Sequence, residues 1–274
     1  MNMLNDLNVR NNPSLSRLLI TNFGAAVPGS VFWILVKAEN IAGLSAFSDV
    51  TAVVLADVPS KPTDIPVNDL TSTSDSQIKV SFATPPPNNG GSPILSYELQ
   101  IDDGKFGVFR SVIGFDSNSL FTVFTITKNI EKGSTYWLRY WAKNSIGWGP
   151  FSDEVVVLAA TIPSRPPKPT FNRYSIADDK VYIDLYKVEN NGGSQMLYYE
   201  LYWDAGDDYT SAFTIVKEIV ASDTLSYSAL NGVDAILGKT YRYKVRANNT
   251  KGFSEFSDEA FIAFGDKPPR PPKL

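Results

Sequence analysis

The chain has 274 residues, 43% of them hydrophobic, with 13 Tyr, 16 Phe and a formal net charge of −4 from 25 basic and 29 acidic side chains. It contains neither Cys nor His, which excludes disulfides, thiolate metal sites, thiol catalysis and imidazole base catalysis. The mildly acidic balance gives no electrostatic ground for a nucleic-acid partner.

Residues 1–17 are polar and Asn-rich, without the apolar core of a secretory leader. The apolar run at 31–36 has the length of a strand and is too short to cross a bilayer, so no direct membrane insertion is expected in this segment. Strands are predicted near 17–23, 31–39 and 49–56, about half of a β-sandwich. Such a half exposes an apolar face and needs strands from preceding sequence or from another chain.

Period-two alternation then runs through Ile78, Val80 and Phe82, and through Tyr97, Leu99 and Ile101. Further strands follow at Val123–Ile126, at 136–142 and at 155–157. If Tyr136, Leu138, Tyr140 and Ala142 face inward, then Trp137, Arg139 and Trp141 face outward, with Trp148 in the next loop. Large aromatics on an outer face invite three readings: a local ladder, a protein-binding surface made of Trp137, Arg139, Trp141 and Trp148, or a small-ligand platform.

The next stretch repeats the scheme through Val181, Ile183 and Leu185, then Tyr199, Leu201 and Trp203. Phe213 and Ile215, the strand 241–247, and Phe261 with Phe264 complete it. Residues 231–237 have room for one helical turn at most. The outward stripe here is Arg242, Lys244 and Arg246, for which cross-strand pairing to Glu200 is expected. Asn248-Asn249-Thr250 is a glycosylation sequon, although Asn249 also suits a turn-closing role. Asp102-Asp103 and Asp207-Asp208 read as hairpin turns. Asp49, Asp153 and Asp258 recur near segment ends, where a strand-start hydrogen bond competes with a calcium site; calcium is not expected. Nothing sets up the paired carboxylates of a glycosidase.

Self-similarity organises all of this. FWILVKAENIAGLSAFSD (32–49), YWLRYWAKNSIGWGPFSD (136–153) and YRYKVRANNTKGFSEFSD (241–258) align, and NNGGSPILSYELQ (88–100) returns as NNGGSQMLYYELY (190–202). Proline-punctuated joints stand at 59–62, 163–169 and 267–274, where Pro fixes φ and removes ladder donors. The expected divisions are 1–58, the C-terminal part of a unit; 59–162 and 163–267, two whole units; and 268–274, a proline-rich joint to a further one.

These repeats resemble the fibronectin type III family. The residues that carry the resemblance are Pro62, Phe82, Pro86, Gly90, Gly91, Tyr97, Gly133, Tyr136, Ala142, Asn144, Gly147 and Ser152. Pro166, Leu185, Gly192, Gly193, Tyr199, Gly238, Tyr241, Ala247, Asn249, Gly252 and Ser257 repeat them, and Gly29, Phe32, Ala38, Asn40, Gly43 and Ser48 repeat the later part. Phe82 and Leu185 stand where the family has Trp. The resemblance implies an all-β fold of tandem immunoglobulin-like (fibronectin type III) β-sandwiches. It implies a buried tyrosine-corner hydroxyl at Tyr136 and Tyr241 that Phe32 cannot supply. The family carries no single function. The expectation is a non-catalytic structural or scaffold array that spaces and presents protein partners, with no cofactor; its partners are other proteins or adjacent modules. The alternative is an adhesion or ligand-recognition ectodomain segment of a larger surface or secreted protein. Extracellular, cell-surface and cytoplasmic locations are left open by these features.

Overall fold

In the computed structural model, residue 14 and residues 25–265 are described, apart from 83, 84, 106 and 207–211. The strand expected at 17–23 and the Asp207-Asp208 turn lie outside the described residues.

The first described elements are β1 (Val31–Ile34), β2 (Glu39–Asn40), β3 (Gly43–Leu44) and β4 (Thr51–Val54). β1 pairs antiparallel with β4, and β2 with β3. Phe32 and Ile34 are half-buried, whereas Val31 and Trp33 are exposed. Among the described residues no third strand pairs with β1.

β5 (Val67–Asn68), β6 (Ile78–Ser81), β7 (Ser96–Ile101), β8 (Arg110–Ile113), β9 (Val123–Ile126), β10 (Thr135–Lys143) and β11 (Val155–Leu158) follow. They form a three-stranded sheet in the order β5-β6-β9 and a four-stranded sheet in the order β11-β10-β7-β8. The pleat sends alternate side chains to opposite faces, and β10 obeys this strictly: Tyr136, Leu138, Tyr140 and Ala142 are buried and the residues between them half-buried. These four meet Ile78, Val80, Leu99, Ile101 and Ile126 in one core fed by both sheets. Phe82 enters the same core at the position where the family has Trp.

The remaining strands are β12 (Thr170–Ser175), β13 (Lys180–Asp184), β14 (Met196–Trp203), β15 (Thr214–Val220), β16 (Ser226–Leu230), β17 (Thr240–Asn249), β18 (Gly252–Phe253) and β19 (Ala260–Ala263). They repeat the architecture, with β12-β13-β16 facing β15-β14-β17, to which β18 and β19 are added on β17. Val181, Ile183, Leu201, Tyr243, Val245 and Phe264 anchor a second core. The two cores are separate clusters, so the joint at 163–169 is not spanned by a shared interior.

Two expectations in this half need correcting. The alternation at Phe213 and Ile215 marks the start of β15, which pairs with β14, and Ile215 is exposed. The strand that covers the core beside β13 is β16, whose sequence SYSAL buries Ala229 alone and carries almost no apolar alternation. In β19 it is Ile262, not Phe261, that turns inward; Phe261 is exposed.

Both tyrosine corners form. Tyr136 Oη accepts the Glu131 N–H at 2.7 Å and donates to the Asn129 carbonyl at 3.2 Å. Tyr241 Oη accepts the Ile236 N–H at 2.8 Å.

Candidate functional site

The feature most fully specified by repeated residues is the joint between successive β-sandwich units, where each Asn-Asn-Gly-Gly loop, which connects strands of opposite sheets, lies against the linker before it. The Asn side chains of the loop fold back onto it: Asn88 Oδ1 accepts the Gly90 N–H at 2.8 Å and Asn89 Oδ1 the Gly91 N–H at 2.9 Å. Asn190 and Asn191 do the same for Gly192 and Gly193. The loop carbonyls then take linker donors. Asp57 N–H bonds Gly90 O and Ser60 N–H bonds Asn88 O, just as Thr161 N–H bonds Gly192 O and Ser164 N–H bonds Asn190 O.

The glycines are required twice over. All four have φ between +74° and +79°, a region L side chains rarely adopt. A Cβ on Gly90 or Gly192 would overlap the Asp57 or Thr161 carbonyl oxygen of the linker. A Cβ on Gly91 would overlap the Gly29 nitrogen, and one on Gly193 would come within 2.8 Å of the Gly133 nitrogen. Backbone from two units thus comes into close contact, joined at Gly193 by the Lys132 side chain, whose Cγ would lie equally near a Cβ there and whose Nζ donates to Asn190.

Asn144 and Asn249 close this contact. Asn144 Nδ2 donates to Asp57 O at 2.7 Å and Asn89 O at 2.9 Å, while its Oδ1 accepts the N–H groups of Ile146 and Gly147. Asn249 repeats every bond, to Thr161 O, Asn191 O, Lys251 N–H and Gly252 N–H. The two side chains are 1% and 2% exposed, and each amide uses both donors and two acceptor positions. The turn-closing role read from sequence accounts for the Oδ1 bonds; the reach of Nδ2 back to the linker was not foreseen. Their counterpart Asn40 is exposed, and its Oδ1 accepts the Ala42 N–H.

A second clamp involves the recurring Asp. Lys61 Nζ lies 2.7 Å from Asp153 Oδ1, and Arg165 lies 2.5 Å from Asp258 Oδ1, each pairing a linker cation with the unit that follows. These pairs are solvent-exposed and contribute at most about 1 kcal/mol each. Among the described residues no group of three or more Asp, Glu, His or Cys is placed to hold a metal.

The outward stripe is built as a stack. The Arg139 guanidinium lies between the rings of Phe109 and Phe151, 3.8 and 3.9 Å from their centroids. Phe151 stacks on Trp141 at 4.0 Å, Trp141 on Trp148 at 4.9 Å, and Trp148 on Phe115 at 6.1 Å. Trp141 Nε1 donates to Glu98, and Arg139 Nε to Gln100. Trp137 sits opposite Val156, and its backbone N–H donates to Asp102. On the next unit Arg246 stacks over Phe253 at 3.8 Å, and Lys244 lies over Phe213 and Phe256. Arg246 also pairs with Glu200 at 2.7 Å, the cross-strand partner expected from sequence. Lys37 over Phe47 is the first-unit equivalent. The common rung is the Phe of each Phe-Ser-Asp, a role that the sequence reading missed although the tripeptide repeats three times.

The sequon acceptor Asn248 is 7% exposed, and its Nδ2 donates to Tyr198 Oη at 3.1 Å. Among the described residues no helix is long and apolar enough to cross a membrane.

No family model matches the chain. It is 25% identical over 254 residues to fibronectin type-III domain-containing protein 3a of Gallus gallus, covering 92% of this chain and 20% of that protein. Identity to fibronectin type-III domain-containing protein 3A of Mus musculus is 25% over 264 residues, with the same coverage, and to the Homo sapiens protein 27% over 152 residues, covering 52% and 11%. The chain spans about a fifth of the length of the first two. The crystal structure of chicken CNTN1 FN1-FN3 domains aligns with a TM-score of 0.39 at 16% identity, covering 88% of this chain and 79% of that one. The chain is distantly homologous to fibronectin type-III domain-containing proteins.

Proposed function

We propose that the chain is a non-catalytic structural array: tandem fibronectin type III-like units, divided at 58/59, 162/163 and 267/268, held at fixed spacing so that their faces present protein partners in register. One observation carries this reading. The joint is built twice from the same groups, with a Gly-Gly loop against a backbone turn and a buried Asn amide tying loop to linker. Units on slack tethers need no such repeated close contact, because independent motion is the default for linked domains. Small-angle X-ray scattering of the full chain tests it. A single conformer should fit the profile, and Asn144→Ala/Asn249→Ala should require a distribution of shapes. A profile that already demands a broad distribution in the unsubstituted chain would refute the reading.

A second reading, an adhesion or ligand-recognition segment, draws on the Trp137, Arg139, Trp141 and Trp148 face. Its support is Phe115, 53% exposed at the open end of the stack. Aromatic and Arg side chains are enriched at the centres of protein interfaces.

A further inference from the structure

We propose that Asn89 and Asn191, each followed by Gly, are sites of spontaneous deamidation that the closed joint suppresses, and that their conversion to isoaspartate keeps the joint from re-forming. The proposal rests on the reading of the chain as a fixed-geometry array and assigns to its joint a chemical modification.

The reaction is intramolecular. The backbone nitrogen of the residue after Asn loses its proton and attacks the side-chain Cγ; the Cγ–Nδ2 bond breaks, ammonia leaves, and a succinimide remains. Water then opens the ring at Cγ to give aspartate, or at the original main-chain carbonyl to give isoaspartate. Gly after Asn favours ring closure, because it has no Cβ to hinder the approach. Asn89-Gly90 and Asn191-Gly192 are two of the three Asn-Gly steps in the sequence.

Both Asn residues are exposed, so burial does not keep water from them. What opposes ring closure is that the peptide unit that must rotate is pinned at both ends. The Asn191 carbonyl accepts Asn249 Nδ2 at 2.8 Å, and the Gly192 N–H donates to Asn190 Oδ1 at 2.8 Å. The Asn89 carbonyl accepts Asn144 Nδ2 at 2.9 Å, and the Gly90 N–H donates to Asn88 Oδ1 at 2.8 Å. The side chain under attack is held too, with Oδ1 accepting the Gly193 N–H at 3.0 Å in Asn191 and the Gly91 N–H at 2.9 Å in Asn89. The linker adds Thr161 N–H on Gly192 O and Asp57 N–H on Gly90 O. In each Asn-Asn pair, then, the first side chain occupies the N–H whose nitrogen would attack the second.

The two products differ in what they do to the joint. Aspartate leaves the main chain as it was and keeps an oxygen for the Gly193 or Gly91 N–H. Isoaspartate routes the main chain through Cβ and Cγ, which lengthens it, and turns the carbonyl held by Asn249 or Asn144 into a free carboxylate. Gly192 and Gly90 have no room to shift, since even a Cβ on either would lie 2.1 Å from the Thr161 or Asp57 carbonyl oxygen.

The test ages the full chain in mildly alkaline buffer. Peptide mapping by mass spectrometry follows each Asn, and isoaspartyl methyltransferase labelling identifies isoaspartate. Asn231-Gly232 is the reference within the same unit as Asn191, because Asn231 Oδ1 and the Gly232 N–H bond Leu237 and Ala235, away from the joint. Asn191 should convert about tenfold more slowly than in a peptide of residues 187–196. Asn190→Ala and Asn249→Ala should each speed conversion at Asn191 by about tenfold with Asn231 unchanged, and Asn190→Asp, which keeps the acceptor, should stay near the parent rate. After incubation in urea and refolding, the fraction with isoaspartate at Asn191 should need a distribution of shapes to fit its small-angle scattering. The unreacted fraction and the Asn191→Asp chain should each fit a single conformer. Conversion at the peptide rate in a chain that fits a single conformer would overturn the protection and leave the array standing; the same rate in a chain of many shapes would overturn both. Equal rises at Asn191 and Asn231, or an isoaspartate fraction that returns to a single conformer, would also overturn the proposal.

Discussion

Tyr241 and Tyr243 stand two residues apart on the inward face of β17 with ring centroids 6.5 Å apart, and their hydroxyl groups meet opposite surroundings. Tyr241 Oη takes the Ile236 N–H, whereas no partner reaches the buried Tyr243 Oη among the described residues. Removing a bonded hydroxyl costs about 1 kcal/mol, and removing an unsatisfied one relieves a similar penalty. Tyr241→Phe should therefore lower, and Tyr243→Phe raise, unfolding stability by about 1 kcal/mol each, read by urea denaturation. Burial, then the neighbouring Tyr227 and Tyr241, push the Tyr243 hydroxyl far above its ordinary 10.0, and burial pushes Tyr227 up to about 12. A raised folded-state value means stability that is whole below the unfolded value and lost as pH rises past it. Thermal midpoints should fall above pH 10.0, less steeply in Tyr243→Phe.

Asp204 and Asp102 hold the same place on successive units but not the same partner. Arg242 Nε lies 2.7 Å from Asp204 Oδ2, while no donor reaches the buried Asp102 Oδ2 among the described residues. Burial pushes the Asp204 carboxyl up, but bonds from the Arg242 side chain and from the Arg242 and Gly206 N–H groups, with the Arg242 charge, outweigh it and hold it below 3.8. A depressed value means stability present above the unfolded value and lost as pH falls through the folded one. Asp204→Asn should lower the melting midpoint at neutral pH and flatten its fall below about pH 4. Asp102→Asn should leave the neutral-pH midpoint unchanged or raised, since the buried Oδ2 has no donor while the Trp137 N–H held by Oδ1 can be kept by an amide oxygen.

Asn249→Ala should cost about 1–3 kcal/mol, because it strips donors from the Thr161 and Asn191 carbonyls. Asn40→Ala, at an exposed position, should stay within about 0.5 kcal/mol of the parent chain. Urea unfolding of the two variants checks the contrast.

Phe151 supports both Arg139 and Trp141, so Phe151→Ala removes two stacked contacts at once. A loss of about 2 kcal/mol is expected, below the value for a fully buried ring because Phe151 is half-buried. The near-ultraviolet dichroism of Trp141 should weaken in parallel.

Period two made the long strands readable: Tyr136 to Ala142 and Tyr241 to Ala247 face inward as alternation requires. β16 was illegible because Ser226, Tyr227 and Ser228 carry no apolar contrast; pairing with β13 makes it a strand. The joint was half legible. Asn-Asn-Gly-Gly reads as a turn from composition alone, but Asn144 Nδ2 meets the Asp57 carbonyl 87 residues away, and no local pattern encodes that. The rung role of Phe151 was hidden for the same reason, since its stacking partners Arg139 and Trp141 lie on β10.

The most direct measurement is of residual dipolar couplings for backbone amides in weakly aligned full-length protein, fitted separately for 59–162 and 163–265. If the Gly192-Gly193 loop and Asn249 hold the joint, both segments return one alignment tensor, equal in magnitude and orientation. Tensors of clearly different magnitude would mean that the two β-sandwiches reorient independently, and would contradict the account.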